Sequence, residues 1–216
     1  MLTVLTVLRS GGGYTSEWVD KLKRGVDRWL TIPHRFVCLS DVDVNCERIP
    51  LQHNWPGWWS KIEMFRQGNI IGPTLYLDLD TVITGPLDEI ATLEYPFAML
   101  RNFHQPDFVG SGVMWFRDAE SVPHKVYEKF ARMPDAYIEH HDRVKVGSHL
   151  GDQAFIFDTI HSMGKEIPHI QDKFHGIRSY KYHCRTYLPP DTSIVCFHGP
   201  PRLFEVKNEW VKKYWS

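Results

Sequence analysis

A chain of 216 residues with 43% hydrophobic and 24% charged side chains can bury one sizeable core, and its composition excludes a disordered or fibrous protein. With 25 Lys and Arg against 26 Asp and Glu, the formal net charge of −1 excludes long-range steering toward DNA or an anionic membrane. Cys38, Cys46, Cys184 and Cys196 form neither a CxxC pair nor a zinc-like spacing, and Cys38 and Cys196 lie in apolar strand-like runs, so buried free thiols are expected.

"LTVLTVL" (2–8) is a β-branched run that predicts a first strand, entering the Gly-permissive loop "RSGGG". The run is too short to span a membrane. It also lacks a basic leader and a small-residue cleavage site, which predicts no membrane span and a reducing, cytoplasmic setting. Thr15 or Ser16 can then cap a helix whose apolar positions Trp18, Val19, Leu22, Val26, Trp29 and Leu30 keep the helical period. "HRFVCLSD" (34–41) predicts a second strand ending in a carboxylate, "SKIEMFRQG" (60–68) a short helix closed by Gly68, and "TLYLDLD" (74–80) a buried strand. Further strands are expected at 97–103, 111–117 and 192–199, and helices at 122–133 and 152–164. The rest of the last third reads as loops. Alternating strands and helices imply a single α/β domain over 1–216 with a mostly parallel central sheet. Ligands of such sheets bind beyond the carboxyl ends of the strands, where Arg9, Asp41, Asp78 and Asp80 fall.

The most informative stretch is "LYLDLDTVITGPLDEI" (75–90). In an extended strand Asp78 and Asp80 would share one face. Two like charges that close raise each other's cost of ionisation, so a cation is expected between or before them. Oxygen ligands suit Mg²⁺ or Mn²⁺, ions that bridge carboxylates to phosphate oxygens and neutralise a departing diphosphate. A turn-proximal carboxylate pair with a solvated or capping role is the other reading of an isolated D-x-D.

The same stretch resembles the D-x-D strand of GT-A glycosyltransferases, especially the retaining group of glycogenin and bacterial lipopolysaccharide galactosyltransferases. Three further stretches follow in the family's order. "GSGVMWFR" (110–117) resembles its donor-sugar strand, "GDQAFIF" (151–157) its D-Q helix start, and "CFHGPPR" (196–202) its C-terminal His-Gly element. The resemblance implies a GT-A, Rossmann-like fold and transfer of a hexose from a nucleotide diphosphate sugar, a UDP-sugar foremost. Residue by residue, it implies Asp78, Asp80 and His198 as ligands of Mn²⁺ or Mg²⁺, with Asp78 also near the ribose. Lys61 would contact the donor, Ser111 and Gly112 would lie along the sugar, and Arg202 would meet the phosphates. Asp152 and Gln153 would sit beneath the anomeric carbon as catalytic residues. Arg9 and Asp41 would lie near the nucleotide, Asp41 as an acceptor for a base N–H.

Three departures stand in the sequence. His198 directly precedes Gly199 where the family commonly has two residues between them, and Arg202 replaces a Lys-Pro-Trp signature. Gly110 and Ser111 stand where Asn is usual.

The residues leave the acceptor open among a glycan, lipid-linked sugar, protein, metabolite or modified DNA base. Near-neutral charge disfavours nucleic acid, although Lys173, Arg178, Lys181 and Arg185 could form a local basic cluster. Trp55, Trp58 and Trp59 offer aromatic faces for a sugar or for the core. The fold and D-x-D also suit a sugar-nucleotide nucleotidyltransferase, or a non-catalytic sugar-nucleotide-binding protein.

Overall fold

A computed structural model describes residues 1–68, 70–117, 122–143 and 150–216. Strand β1 (Leu2–Leu8) is buried along its whole length, because both of its faces are covered. Leu2, Val4 and Leu8 enter one core, and Leu5 and Val7 the other. That two-sided burial is why the run is continuously apolar rather than alternating. Helix α1 (Ser16–Trp29) returns the chain, burying Val19, Leu22 and Val26 against the first core. β2 (His34–Ser40) then pairs parallel with β1, and β3 (Glu47–Pro50) parallel with β2. A 3₁₀ helix, Gly57–Phe65, follows.

β4 (Thr74–Leu77) pairs parallel with the other side of β1. β5 (Thr81–Ile83) leaves the main sheet, and β6 (Phe97–Arg101) and β7 (Val109–Phe116) return to it. The order is β3-β2-β1-β4-β7-β6, with β7 antiparallel to both β4 and β6. Helices α2 (Val122–Arg132), α3 (Pro134–Arg143) and α4 (Gly151–Ser162) accompany the 3₁₀ helix in covering the second face. β8 (Ile177–Ser179) and β9 (Ile194–Cys196) complete a second, three-stranded sheet in the order β5-β9-β8, and α5 (Glu209–Tyr214) closes the chain. This is the mixed α/β domain with a mostly parallel sheet that the element pattern implied. Among the described residues, no helix is long and apolar enough to cross a membrane. All four cysteines are free.

The helix expected at 60–68 is the 3₁₀ helix Gly57–Phe65, and the rest of the last third, expected as loops, carries β8 and α5. The D-x-D strand is also corrected. The strand ends at Leu77, and Asp78–Asp80 form a turn closed by Thr81 N–H donating to the Asp78 carbonyl at 3.1 Å. Leu79 drops into the core, so the two carboxylates face the same cavity from a turn rather than by strand alternation. That turn is the point where the chain passes from the large sheet to the small one. Asp78 N–H donates to the Gly112 carbonyl at 2.9 Å, which aligns β7 beside the first carboxylate. Phe197 N–H donates to the Asp80 carbonyl at 3.2 Å, which brings the C-terminal segment beside the second.

Candidate active site

Beyond the carboxyl ends of β1 and β4 lies a cavity of about 1140 Å³. It is large against the ~300–1,000 Å³ of most small-molecule sites. Lys61 stands in its floor. The residue is 7% exposed, and its ammonium lies 3.1 Å from Asp78 Oδ1, 3.0 Å from Asp152 Oδ2 and 3.0 Å from Ser111 Oγ. One cation therefore ties together the D-x-D turn, β7 and the first turn of α4. Burial alone would lower the Lys61 pKa, but Asp152 and Asp78 outweigh it and push it up, so the ammonium stays charged. Four residues that the sequence placed at one site thus meet at one nitrogen.

Two phenols secure the carboxylates. Tyr76 OH donates to Asp78 Oδ1 at 2.6 Å and Tyr14 OH to Asp80 Oδ2 at 2.7 Å. Burial first, then the neighbouring aspartate, raises both tyrosine pKa values, keeping each a neutral donor. Asp80 is itself buried, and its pKa is pushed up to about 7, first by burial and next by Asp78. Its paired cation, Arg202, stands 4.0 Å away with a half-exposed side chain. Two adjoining carboxylates, one so costly to ionise, are a fit for a hard divalent cation.

His198 lines the same cavity, but its Nε2 lies 2.7 Å from Ser179 Oγ and its ring stacks on Phe103 at 5.5 Å. Burial, then Lys181, lowers its pKa to about 4, leaving the neutral ring that metals bind. Among the described residues, no three His, Cys, Asp or Glu side chains converge as a ready-made metal cluster.

Arg9 lines the cavity and pairs with Asp41 at 2.7 Å, while also bonding Asn54. Asp41 does not reach the cavity wall; it accepts from Ser10 N–H at 2.8 Å and Ser10 Oγ at 2.5 Å, so it anchors the loop that carries Arg9. Burial raises its pKa, but the Ser10 bonds and Arg9 outweigh that and hold the carboxyl below the ordinary value. Gln153 lines the cavity beside Asp152, and Gly112 beside Asp78.

Lys181 is a wall residue that motif matching missed. Burial, Arg202 and Arg185 all lower its pKa, so Lys181 and Arg202 concentrate positive charge in the cavity wall, with Arg202 4.0 Å from Asp80. Tyr14 was equally invisible, lying 66 residues from Asp80. Tyr76 had a signal: it stands two residues before Asp78 in the same extended run.

Gly151 opens α4 at φ +65°, and a Cβ there would stand 2.8 Å from Trp58 Nε1. Gly151→Ala is expected to cost about 1–2 kcal/mol for the left-handed backbone alone. Urea unfolding measures that loss, and an unchanged midpoint would contradict it.

The sheet order, the D-x-D turn at the sheet junction and the cavity beyond the strand ends define a GT-A fold. Among solved structures, the chain is similar to the glycosyltransferase GlyE of Streptococcus pneumoniae TIGR4, at 14% identity and a TM-score of 0.69 over 100% of this chain and 60% of that one. It is also similar to the galactosyltransferase LgtC in complex with donor and acceptor sugar analogs, at 10% identity and a TM-score of 0.67 over 98% of this chain and 93% of that one. The chain therefore spans 60% of the length of GlyE but nearly all of LgtC. At these identities the likeness establishes the fold. No family model matches the chain, and no curated protein matches it by sequence.

Proposed function

We propose that this chain is a metal-dependent glycosyltransferase that moves a hexose from a nucleotide diphosphate sugar, a UDP-sugar foremost, to a hydroxyl acceptor. The observation that carries this reading is the Lys61 ammonium bound at once to Asp78, Asp152 and Ser111 in the floor of a cavity also lined by Lys181 and Arg202. The likeness of fold to two sugar transferases supports it.

Asp78 and Asp80 would hold Mn²⁺ or Mg²⁺, with His198 as a third ligand once its ring leaves Ser179. When bound, the ion supplies Lewis-acid neutralisation of the donor diphosphate. The residues themselves do the rest. Lys181 and Arg202 face the phosphates with charge-assisted hydrogen bonds, and Arg9 holds the nucleotide end. Ser111 and Gly112 form the wall along the sugar. Asp152, fixed by Lys61, lies with Gln153 beneath the anomeric carbon, where a carboxylate steadies developing positive charge on the sugar.

In the transfer, the acceptor oxygen bonds to the anomeric carbon as the bond from that carbon to the β-phosphate oxygen breaks. The electron pair departs with the diphosphate. Preorganised charge at that oxygen is commonly the largest catalytic term. If the reaction retains configuration, the departing phosphate can take the acceptor proton; if it inverts, Asp152 is the base.

A thermal-stability panel of nucleotide sugars tests the reading. One donor should raise the melting temperature only with Mn²⁺ present, and uniform indifference would contradict it. In the same assay, Lys181→Ala is expected to weaken that donor about tenfold, the scale of one charge-assisted phosphate contact. An unchanged affinity would remove Lys181 from the phosphate site.

A further inference from the structure

The three tryptophans of residues 55–59 have different jobs. Trp55 and Trp59 are 7% and 2% exposed, and both pack on Phe130. Trp58 is 47% exposed and lines the cavity. Trp55 precedes the helix; within it, position separates Trp58 from Trp59. In a 3₁₀ helix residues three apart eclipse one another, so Trp59, Ile62 and Phe65 form one buried stripe. By the same rule Trp58 stands one turn above Lys61 on the face that looks into the cavity.

The indole is also held. Its Nε1 edge lies against Gly151, so close that a Cβ on that residue would come within 2.8 Å of it, and the next residue is Asp152. A large, half-exposed aromatic is thus held against the first residue of α4, and it lines the same cavity as Lys61 and Asp152. Among the described residues this face is left open, although Trp is among the residues that gain most from burial.

We propose that Trp58 is the floor of an acceptor subsite for a neutral pyranoside. This rests on the transferase reading and names the acceptor class for it. The apolar C–H face of the sugar ring would lie on the indole, and its rim hydroxyls would meet the polar wall that includes Gln153. Charge favours a neutral ligand, because the ammonium at this spot is already shared between Asp78 and Asp152. Shape favours a sugar ring over an acyl chain, since the indole offers one flat face to the C–H side of a ring, and Pro56 and Leu150 line the same cavity. Trp58 makes and breaks no bond; it binds and orients.

The test uses the full chain labelled with 5-fluorotryptophan, whose eight ¹⁹F resonances include one that Trp58→Phe removes and so assigns. UDP with Mg²⁺ is added first, then methyl β-glucoside, methyl β-galactoside, N-acetylglucosamine, lactose and maltose in turn. We expect at least one saccharide to move the Trp58 resonance saturably in the nucleotide-bound protein. Read on the other resonances, Trp58→Leu should weaken that saccharide about tenfold, and Trp58→Phe, which keeps a ring, by less than about threefold. If UDP shifts resonances but no saccharide moves Trp58, the acceptor subsite falls and the donor reading stands. If a saccharide moves Trp58 and UDP shifts nothing, the subsite stands and the donor reading falls. Silence to both overturns both.

Discussion

Lys61→Met is expected to destabilise the protein by about 3–5 kcal/mol and to lower transfer by about 10²–10³-fold. The ammonium sits 3.0 to 3.1 Å from carboxylates on two different elements, and Lys61 and Asp152 are both buried, so that water cannot replace the ammonium cheaply beside Asp152. Removing one member of such a set leaves charges unpaired in a low-dielectric site, which is the costly way to break an ion pair. The loss of transfer follows separately, because Asp78 and Asp152 would no longer be held in register with each other. Lys61→Arg should rescue neither property, since a planar guanidinium cannot reproduce three contacts that radiate from one nitrogen. Chemical denaturation and initial rates on the same preparations decide it. A stable Lys61→Met protein with normal turnover would remove Lys61 from the centre of the site.

Asp80→Asn should do the opposite to stability while abolishing metal-dependent transfer. The Asp80 carboxyl is buried beside Asp78, and its pKa is raised from the ordinary 3.8 to about 7. A raised folded-state value means that the fold prefers the protonated form. The contribution of this group to stability is therefore full below pH 3.8 and is lost as pH rises through about 7. Above pH 7 the metal-free wild type carries an ionised, costly carboxylate that the amide does not. A carboxyl raised this far resists ionisation by about 4 kcal/mol. Repulsion shared with Asp78 reduces what one substitution recovers to about 1–3 kcal/mol. Tyr14 OH can still donate to the amide oxygen. Thermal melts in chelator at pH 8 should show the variant above the wild type, with the gap closing toward pH 5. A variant less stable than wild type at pH 8 would show that Asp80 is a structural residue.

These two residues also mark how far the sequence could be read. The strands β1 and β2 and helix α1 were legible because long apolar runs and a sustained helical period leave little choice of element. β3, β5 and α5 were not, since four, three and six residues carry too little periodicity to register. The D-x-D pair was legible for a partly wrong geometric reason. Strand alternation would have put both carboxylates on one face, whereas a turn does so here, with Leu79 buried between them.

Lys61, Ser111, Asp78 and Asp152 are named by their motifs, but their convergence on one ammonium depends on the pairing of β4 with β7 and the docking of α4. That is tertiary information. Tyr14 lies on a segment with no local signal and Lys181 read only as one member of a basic cluster; the small sheet brings the C-terminal segment to the turn. Nor could composition separate Trp58 from Trp55 and Trp59, because the distinction is set by the packing of Trp55 and Trp59 on Phe130.

The most direct test of sugar transfer is product release. The protein is incubated with UDP-glucose, UDP-galactose, their N-acetylated counterparts and a GDP-sugar, with and without Mn²⁺ and with a saccharide panel as acceptor. Release of the nucleoside diphosphate is measured in parallel with pyrophosphate release from nucleoside triphosphates. Nucleoside diphosphate is predicted from one donor, dependent on Mn²⁺ and lost in Asp80→Asn. Pyrophosphate release from a nucleoside triphosphate and a sugar phosphate, with no diphosphate from any donor, would contradict it and make the protein a nucleotidyltransferase.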